Sequence, residues 1–281
     1  MRSHLPRTLA AAMCLAVVSC EGTSLLGPIE PSDVSMTVSA AGGLTGSAYS
    51  LRVDGETGDV SGIECQGVLC DFQPDELILR ISKGQVAALA VRLEQAGVLQ
   101  HDGRDFGDEC CDIGSFEFDY RRGDLSGSFE GTTTRIPEGL VRAITPVAGL
   151  ANRVVPMLID SANPPAEWPD DTYALGDVSV EGTIVDLEVS FGGGCEAHTF
   201  DLVGLGASLD SSPAEIDAIV SHDAFGDACE AYLTETRRFE TTPLRTLFET
   251  VYGPITETTP IVIRLAVPGQ EEPVLIEVVV G

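Results

Sequence analysis

The chain has 281 residues and a formal net charge of −28, from 44 aspartates and glutamates against 16 lysines and arginines. Such a surface repels nucleic acids and anionic lipid headgroups, so we expect no nucleic-acid partner. The 43% content of hydrophobic residues supports a folded core rather than a disordered acidic tail, and the length allows two ordinary domains.

The first residues have the order of an export signal. Basic Arg2 and Arg7 precede an apolar run from Leu9 to Val18. This run is too short to cross a bilayer, which takes about 20 apolar residues. We therefore predict a signal peptide over residues 1–19; an ordinary cleaved signal without lipid, or a membrane anchor, is the alternative.

Cys20 follows directly after the small residue Ser19. This arrangement resembles the bacterial lipobox, in which the thiol is acylated with chains such as palmitate and the cysteine becomes the new N-terminus. The resemblance implies a lipidated tether over residues 20–33 and, because Glu21 rather than aspartate comes next, transport to the outer membrane. Each buried methylene of an acyl chain contributes about 0.8 kcal/mol to membrane binding. We therefore predict a cell-envelope protein that reaches the membrane through its N-terminal lipid.

Six cysteines remain after Cys14 is lost with the signal and Cys20 is acylated. They are Cys65, Cys70, Cys110, Cys111, Cys195 and Cys229. Outside the reducing cytosol an even number of cysteines indicates disulfides. Adjacent Cys110 and Cys111 can bond to each other only in a strained ring, so each is predicted to pair with Cys65 or Cys70, in an order that stays open. Cys195 and Cys229 can then form a disulfide within the second half.

Prolines indicate a junction near the middle of the chain. The run from Ser161 to Pro165 contains Asn-Pro and Pro-Pro, and Pro169 follows, all of which favour extended chain. We place a linker over residues 159–172, between a first domain over 34–158 and a second over 173–281.

The first domain is predicted to mix strands and helices. Alternating residues indicate strands at Ser35–Ala40 and Ser47–Val53, and a hairpin from Phe116 to Glu130. The apolar stripe of Lys83–Ala96 predicts a helix that Gly97 ends. A short helix begins at Pro137.

Small-residue motifs in this order resemble the emfourin-like domains. They are Gly42-Gly43-Leu44-Thr45-Gly46, Ala96-Gly97-Val98 and Pro137-Glu138-Gly139-Leu140. The named member of that family is a bacterial proteinaceous inhibitor of thermolysin-type metalloproteases. The resemblance covers roughly residues 36–150 and implies a binding domain with a protease partner. The paired Cys110-Cys111 is not part of the inhibitor's pattern.

The second domain is predicted to be β-sandwich-like. Its predicted strands are Asp177–Phe191, Glu196–Val203, Glu215–Val220, Glu230–Thr236, Ile261–Val267 and Val274–Val280. One short helix is predicted over Pro243–Tyr252. Together the two halves predict an α+β, β-rich fold of two disulfide-stapled antiparallel-sheet domains, each with one or two short helices.

The richest chemical motif pairs Gly194-Cys195-Glu196-Ala197-His198 with the segment from Ser221 to Glu230, which contains His222, Asp223, Asp227 and Cys229. The pairing resembles a domain that recurs in uncharacterised bacterial lipoproteins. A candidate Cys₂His₂ zinc set consists of Cys195, His198, His222 and Cys229. Asp223 or Asp227 would accept hydrogen bonds from the imidazoles. Their spacing matches no common zinc module, and export favours a disulfide between the two cysteines.

Calcium is the second alternative cofactor, because the acidic run from His101 to Asp108 echoes the loop that begins at His222. An EF-hand needs oxygen ligands at loop positions 3 and 5. Counted from Asp102, those positions hold Arg104 and Phe106. Loose calcium binding by these carboxylates therefore stands beside zinc as an alternative to no cofactor.

The sequence contains no His-Glu-x-x-His, Gly-x-Ser-x-Gly or phosphate-loop motif, and we assign no catalytic residue. We predict a lipid-anchored, non-enzymatic binding module whose partner is a protease or another protein. One alternative is a zinc-dependent enzyme or metal-binding protein. The other is a structural envelope lipoprotein with no catalytic activity.

Overall fold

The computed structural model describes residues 23–24, 27–41, 47–66, 76–107, 115–132, 134–160, 165–208, 212–255 and 258–280. In the first half, the described strands are β1 (Thr23–Ser24), β2 (Gly27–Pro28), β3 (Val34–Ala41), β4 (Ser47–Asp54), β5 (Asp59–Gln66), β6 (Leu77–Arg80), β7 (Arg104–Asp105), β8 (Ser115–Arg122), β9 (Leu125–Thr132), β10 (Val154–Pro156) and β11 (Leu158–Ile159). The helices of this half are α1 (Lys83–Gln95) and α2 (Glu138–Gly149).

The second half is built mainly from long strands. They are β12 (Tyr173–Glu181), β13 (Ile184–Gly193), β14 (Thr199–Ser208), β15 (Ala214–Asp223), β16 (Ala231–Glu240), β17 (Thr259–Ala266) and β18 (Val274–Val280). Helix α3 (Thr242–Tyr252) connects β16 to β17. The predicted β-rich fold with a few short helices is confirmed. In the described part of the chain, no helix is long and apolar enough to cross a membrane.

The sheets are mixed, and the prediction of purely antiparallel sheets is wrong. A seven-stranded sheet has the order β6-β5-β4-β3-β8-β9-β7, and its β7–β9 pair is parallel. A four-stranded sheet has the order β10-β16-β13-β12, and a five-stranded sheet has the order β11-β14-β15-β17-β18. The β10–β16, β11–β14 and β15–β17 pairs are parallel, and the connection from β15 to β17 runs through β16 and α3.

Helix α1 follows the signals in its sequence. It begins after Ser82, whose hydroxyl accepts a 3.1 Å hydrogen bond from the backbone N–H of Gln85. Val86 and Leu89 are in its buried stripe. It ends before Gly97, whose φ of 84° is the left-handed conformation that glycine adopts without strain.

One cluster of buried apolar side chains runs through both halves. It includes Val86 and Leu93 of α1 together with Val189 of β13 and Ile263 of β17. The Gln85 side-chain amide, which is fully buried, donates a 2.7 Å hydrogen bond to the carbonyl oxygen of Pro156 on β10. The start of α1 is therefore bonded to β10, which pairs with β16 of the second half.

One disulfide is described, between Cys195 and Cys229, and it confirms the predicted bridge in the second half. Cys20, Cys70, Cys110 and Cys111 lie outside the described residues, and Cys65 is described only by its backbone in β5. The predicted bridges of the first half involve side chains of these cysteines only, so they lie outside the described part of the structure.

Candidate functional site

The disulfide closes the end of the β13–β16 strand pair. Cys195 lies two residues beyond β13, Cys229 lies two residues before β16, and their Cα atoms are 5.9 Å apart. The bond encloses the whole segment that carries β14 and β15, with a sequence separation of 34. The two sulfur atoms that were predicted as metal ligands are therefore bonded to each other.

Asp227 occupies a ring of backbone donors beside this disulfide. Its Oδ2 atom accepts hydrogen bonds from the N–H groups of Gly194, Cys195 and Glu196 at 2.8, 2.9 and 3.0 Å. Its Oδ1 atom accepts from the N–H of Cys229 at 2.9 Å. These N–H groups stabilise the ionised form and hold the pKa of Asp227 far below its usual range.

Glycine at position 193 allows the chain to pass this close to the carboxylate. A Cβ atom at Gly193 would lie 2.6 Å from Nε2 of His198 and 2.9 Å from Oδ2 of Asp227. The residue also has a φ of 146°, which L side chains rarely adopt. Within the Gly192-Gly193-Gly194 run, Gly193 thus serves close packing at the end of β13.

Asp227→Asn is expected to lower the midpoint of thermal unfolding much more than Asp177→Asn, an exposed control on β12. The amide lacks the negative charge that accepts hydrogen bonds from four backbone N–H groups. Because the folded-state pKa is lowered, the stabilisation is complete above the ordinary aspartate pKa and is lost only as the pH falls through the lowered value. Melting curves followed by circular dichroism should show the full difference at pH 7 and a shrinking one below about pH 4. Equal effects of the two variants would contradict this role.

The two predicted histidines lie against each other in the interior. Nδ1 of His198 is 2.9 Å from Nε2 of His222, and the residues are only 3% and 1% exposed. Nε2 of His198 is 3.3 Å from Oδ2 of Asp227, and Nδ1 of His222 is 3.0 Å from the carbonyl oxygen of Asp171. All three contacts are hydrogen bonds at once only when the pair carries three protons, one more than two neutral imidazoles hold.

Aromatic rings enclose this pair. The His222 ring stacks on Phe200 with centroids 4.2 Å apart, and the His198 ring packs against Phe191 at 4.8 Å. Burial is the main cause that lowers the pKa of His222, partly offset by its bond to the carbonyl of Asp171. The histidines are enclosed, fully partnered structural groups.

These contacts test the predicted metal sites. The donor atoms of Cys195, Asp227 and Cys229 lie within 4.8 Å of one another, but both sulfurs belong to the disulfide. Every ring nitrogen of His198 and His222 has a partner. The four residues do not fit a Cys₂His₂ zinc set while the disulfide is closed. Of the calcium candidates, Asp102 accepts from Ser126 and Ser128, and residues 108–114 lie outside the described part.

The histidine pair fixes a segment of the predicted linker to the end of β15. Backbone hydrogen bonds join the N–H of Asp171 to the carbonyl of His222 at 3.0 Å and the N–H of His222 to the carbonyl of Pro169 at 3.1 Å. The Ser221 hydroxyl donates to the same Pro169 oxygen at 2.9 Å. The Asp171 carboxylate accepts from the N–H of Ala224 at 2.7 Å. The cluster therefore serves as the rigid support of the surface that these residues form.

That surface is one wall of a cleft of about 530 Å³ between the two halves. The first half contributes the start of α1, and the second contributes the linker segment and the ends of β14 and β15. The lining includes Ser82, Lys83, Gly84, Glu167, Trp168, Asp201, Asp223 and Phe225. Concave sites at domain junctions are common places for ligands.

Asp201 of β14 lines this cleft and is 3% exposed. Side-chain hydrogen bonds from Ser82 and Gln85 reach its carboxyl group, while its Oδ1 atom has no hydrogen-bond partner among the described residues. Burial is the largest cause that raises its pKa to about 6, and the hydrogen bonds oppose that shift. A buried carboxyl with a raised pKa in a cleft is typical of a functional site.

Trp168, the only tryptophan of the chain, also lines this cleft. Its buried Nε1 atom also has no partner within the described ranges. The ring lies beside the start of α1, where a Cβ atom on Gly84 would be 3.9 Å from it. Neither Trp168 nor Asp201 was predicted as a site residue. The available signal was an aspartate inside the otherwise apolar strand Phe200-Asp201-Leu202-Val203.

Comparison with known proteins gives distant similarities. The sequence matches no protein-family model and no curated protein. A NigD-like immunity protein from Bacteroides caccae ATCC 43185 is 10% identical with a TM-score of 0.32, over 89% of this chain and 91% of that one. A protein described as toxin-related, from Parabacteroides distasonis ATCC 8503, is 9% identical with a TM-score of 0.28, over 59% of this chain and 73% of that one. Neither assigns a family or activity to this chain, and the emfourin and lipoprotein resemblances stay predictions.

Proposed function

We propose that this protein is an exported, lipid-anchored, non-enzymatic binding protein and that the cleft between its halves is the binding site. The observation that carries the proposal is the buried Asp201 carboxyl, which lines the cleft with one oxygen unpartnered among the described residues. Such an atom costs free energy unless a ligand or solvent supplies a donor. Hydrogen bonds that join Pro169 and Asp171 to the end of β15 support one wall of the cleft before binding.

The cysteines and histidines support a binding role rather than chemistry. Cys195 and Cys229 are joined, and His198 and His222 are buried with all ring nitrogens in contact with partners. A nucleophile or general base must reach the atoms of a substrate. These side chains therefore act through the shape of the cleft.

Site-specific photo-crosslinking in the native host tests the proposal. Benzoylphenylalanine in place of Phe225, which is 49% exposed at the rim, should give a discrete adduct that Asp201→Asn weakens. The same group in place of Leu275, which is 67% exposed on β18, is the control. Identical adducts at the two positions, or an adduct at position 225 whose yield Asp201→Asn does not lower, would show that the cleft is not the binding site.

Lipid anchoring at Cys20 makes a separate prediction. Cys20→Ser should abolish incorporation of labelled palmitate and release the protein from the envelope fraction, because no acyl acceptor remains. Cys14→Ser is the matched control, since Cys14 lies in the predicted signal peptide. Label and membrane association that survive Cys20→Ser would exclude the lipid anchor and its outer-membrane location.

Inhibition of a metalloprotease is the narrower form of this proposal, supported by the resemblance of the first half to emfourin-like domains. The purified protein should slow cleavage of a fluorogenic peptide by thermolysin-type proteases of its host. Full protease activity at a large molar excess of the protein would remove inhibition and leave the binding role in place.

A further inference from the structure

We propose that the cleft binds a basic segment of a protein partner, with an arginine or lysine side chain directed at Asp201; this inference rests on the proposed function. Two buried polar atoms of residues that line the cleft lack hydrogen-bond partners among the described residues. The unpartnered Oδ1 of Asp201 requires a hydrogen-bond donor, and the Nε1–H of Trp168 requires an acceptor. A suitable ligand therefore presents both.

The charge of the lining selects a cationic donor. Glu167, Asp201 and Asp223 line the cleft, against one lysine, Lys83. Arg80, just outside, is already paired with Asp59 at 2.6 Å. The net charge of −28 adds a long-range attraction for cations. An ammonium or guanidinium group is consequently favoured over a neutral or anionic one.

The aromatic residues of the cleft suit the same group. The ring of Phe225 already makes a cation–π contact with the guanidinium of Arg80, whose Cζ atom lies 5.3 Å from the ring centroid. The indole of Trp168 offers the strongest ring face for a second cation. A cation between Trp168 and Asp201 would combine a ring contact with a charge-assisted hydrogen bond.

The Trp168 donor points to a peptide rather than a free amine. Its N–H needs an acceptor, which the carbonyl groups of a peptide backbone supply and a simple polyamine or guanidine does not. A cleft of about 530 Å³ is within the range for one or two peptide residues. The structure thus matches a basic residue together with its own backbone.

The fluorescence of Trp168 reports on the test directly, because it is the only tryptophan. The full protein, purified from its host's envelope in mild detergent, is titrated with acetyl-Gly-Gly-Arg-Gly-Gly-amide and its Lys, Gln and Glu counterparts. Saturable changes are expected with Arg and Lys and at least tenfold weaker binding with Gln and Glu. Agmatine, which has a guanidinium but no carbonyl, should also bind at least tenfold more weakly than the Arg peptide.

Asp201→Asn should weaken binding of the Arg peptide at least tenfold, and Asp177→Asn should leave it unchanged. Asp223→Asn provides a second variant that keeps the buried carboxyl and should weaken binding by a smaller factor. Equal binding of the Arg and Gln peptides, or unchanged binding by both Asp201→Asn and Asp223→Asn, would overturn the inference.

Failure of this inference can be told apart from failure of the proposed function. If crosslinking at position 225 depends on Asp201 while the peptides show no basic preference, the cleft binds a ligand of another chemistry. If neither crosslinking nor any peptide responds to Asp201→Asn, both proposals are wrong and Asp201 is a structural carboxyl only.

Discussion

The double variant Cys195→Ser, Cys229→Ser is expected to lose about 4 kcal/mol of unfolding free energy. The disulfide spans a sequence separation of 34, and closing a loop of that length removes unfolded-state entropy worth about that amount in the chain-entropy model. The loss should extend to the histidine cluster, because Cys195 and Cys229 donate their backbone N–H groups to Asp227. Chemical denaturation followed by circular dichroism measures it.

The Ser190→Ala, Thr234→Ala pair is the matched control for the disulfide. These residues face each other across the same strands, β13 and β16, and are joined by a 2.8 Å hydrogen bond at an exposed position. Their replacement should cost about 1 kcal/mol or less. A double-serine variant as stable as this control would mean that the bridge does not hold the segment carrying β14 and β15.

The free energy of unfolding is expected to depend on pH through Asp201 by about 3 kcal/mol. The pKa of this acid is raised from 3.8 to about 6 in the folded protein, and each pKa unit corresponds to about 1.4 kcal/mol. The folded state therefore binds the proton more tightly than the unfolded state. The contribution of Asp201 to stability is greatest below the unfolded pKa and falls as the pH rises to about 6.

The difference between wild type and Asp201→Asn isolates this titration. Relative to wild type, Asp201→Asn should gain about 3 kcal/mol between pH 4 and pH 7.5, because the amide has no proton to release. Asp177→Asn should show no such trend, since this side chain is exposed. Parallel pH profiles for wild type and Asp201→Asn would mean that the carboxyl is solvated in solution, which would also weaken its assignment to the site.

Local signals in the sequence were enough for the helices and for one covalent link. Ser82 and Gly97 frame α1 as their residue types predict, and α3 at Thr242–Tyr252 nearly coincides with the predicted Pro243–Tyr252. The Cys195–Cys229 bridge followed from the even number of exported cysteines. These features depend on residues close in sequence or on a single chemical reaction.

Pairing between distant segments was not predictable in the same way. The short strands β10 and β11 carry few residues and pair with β16 and β14, which lie far along the chain. The parallel register of β15 and β17 depends on the path taken by α3. Nothing in the local pattern of these residues distinguishes a parallel from an antiparallel neighbour.

The candidate site was likewise predictable only in part from the sequence. The motif correctly brought together Cys195, His198, His222 and Cys229, but their role follows from contacts with Asp227 and Asp171 that decide between metal binding and hydrogen bonding. Asp201 was missed because its partners Ser82 and Gln85, at the start of α1, lie far from it in the sequence. A charged residue in an apolar strand is the pattern to look for in related cases.

Competition for the crosslink at position 225 shows whether a basic segment of a partner occupies the cleft. The benzoylphenylalanine variant is irradiated in envelope preparations with rising concentrations of the Arg pentapeptide or its Gln counterpart. If a basic segment of a partner occupies the cleft, the Arg peptide should abolish the adduct and the Gln peptide should leave it intact. An adduct that persists at a saturating concentration of the Arg peptide would contradict binding of that partner in the cleft.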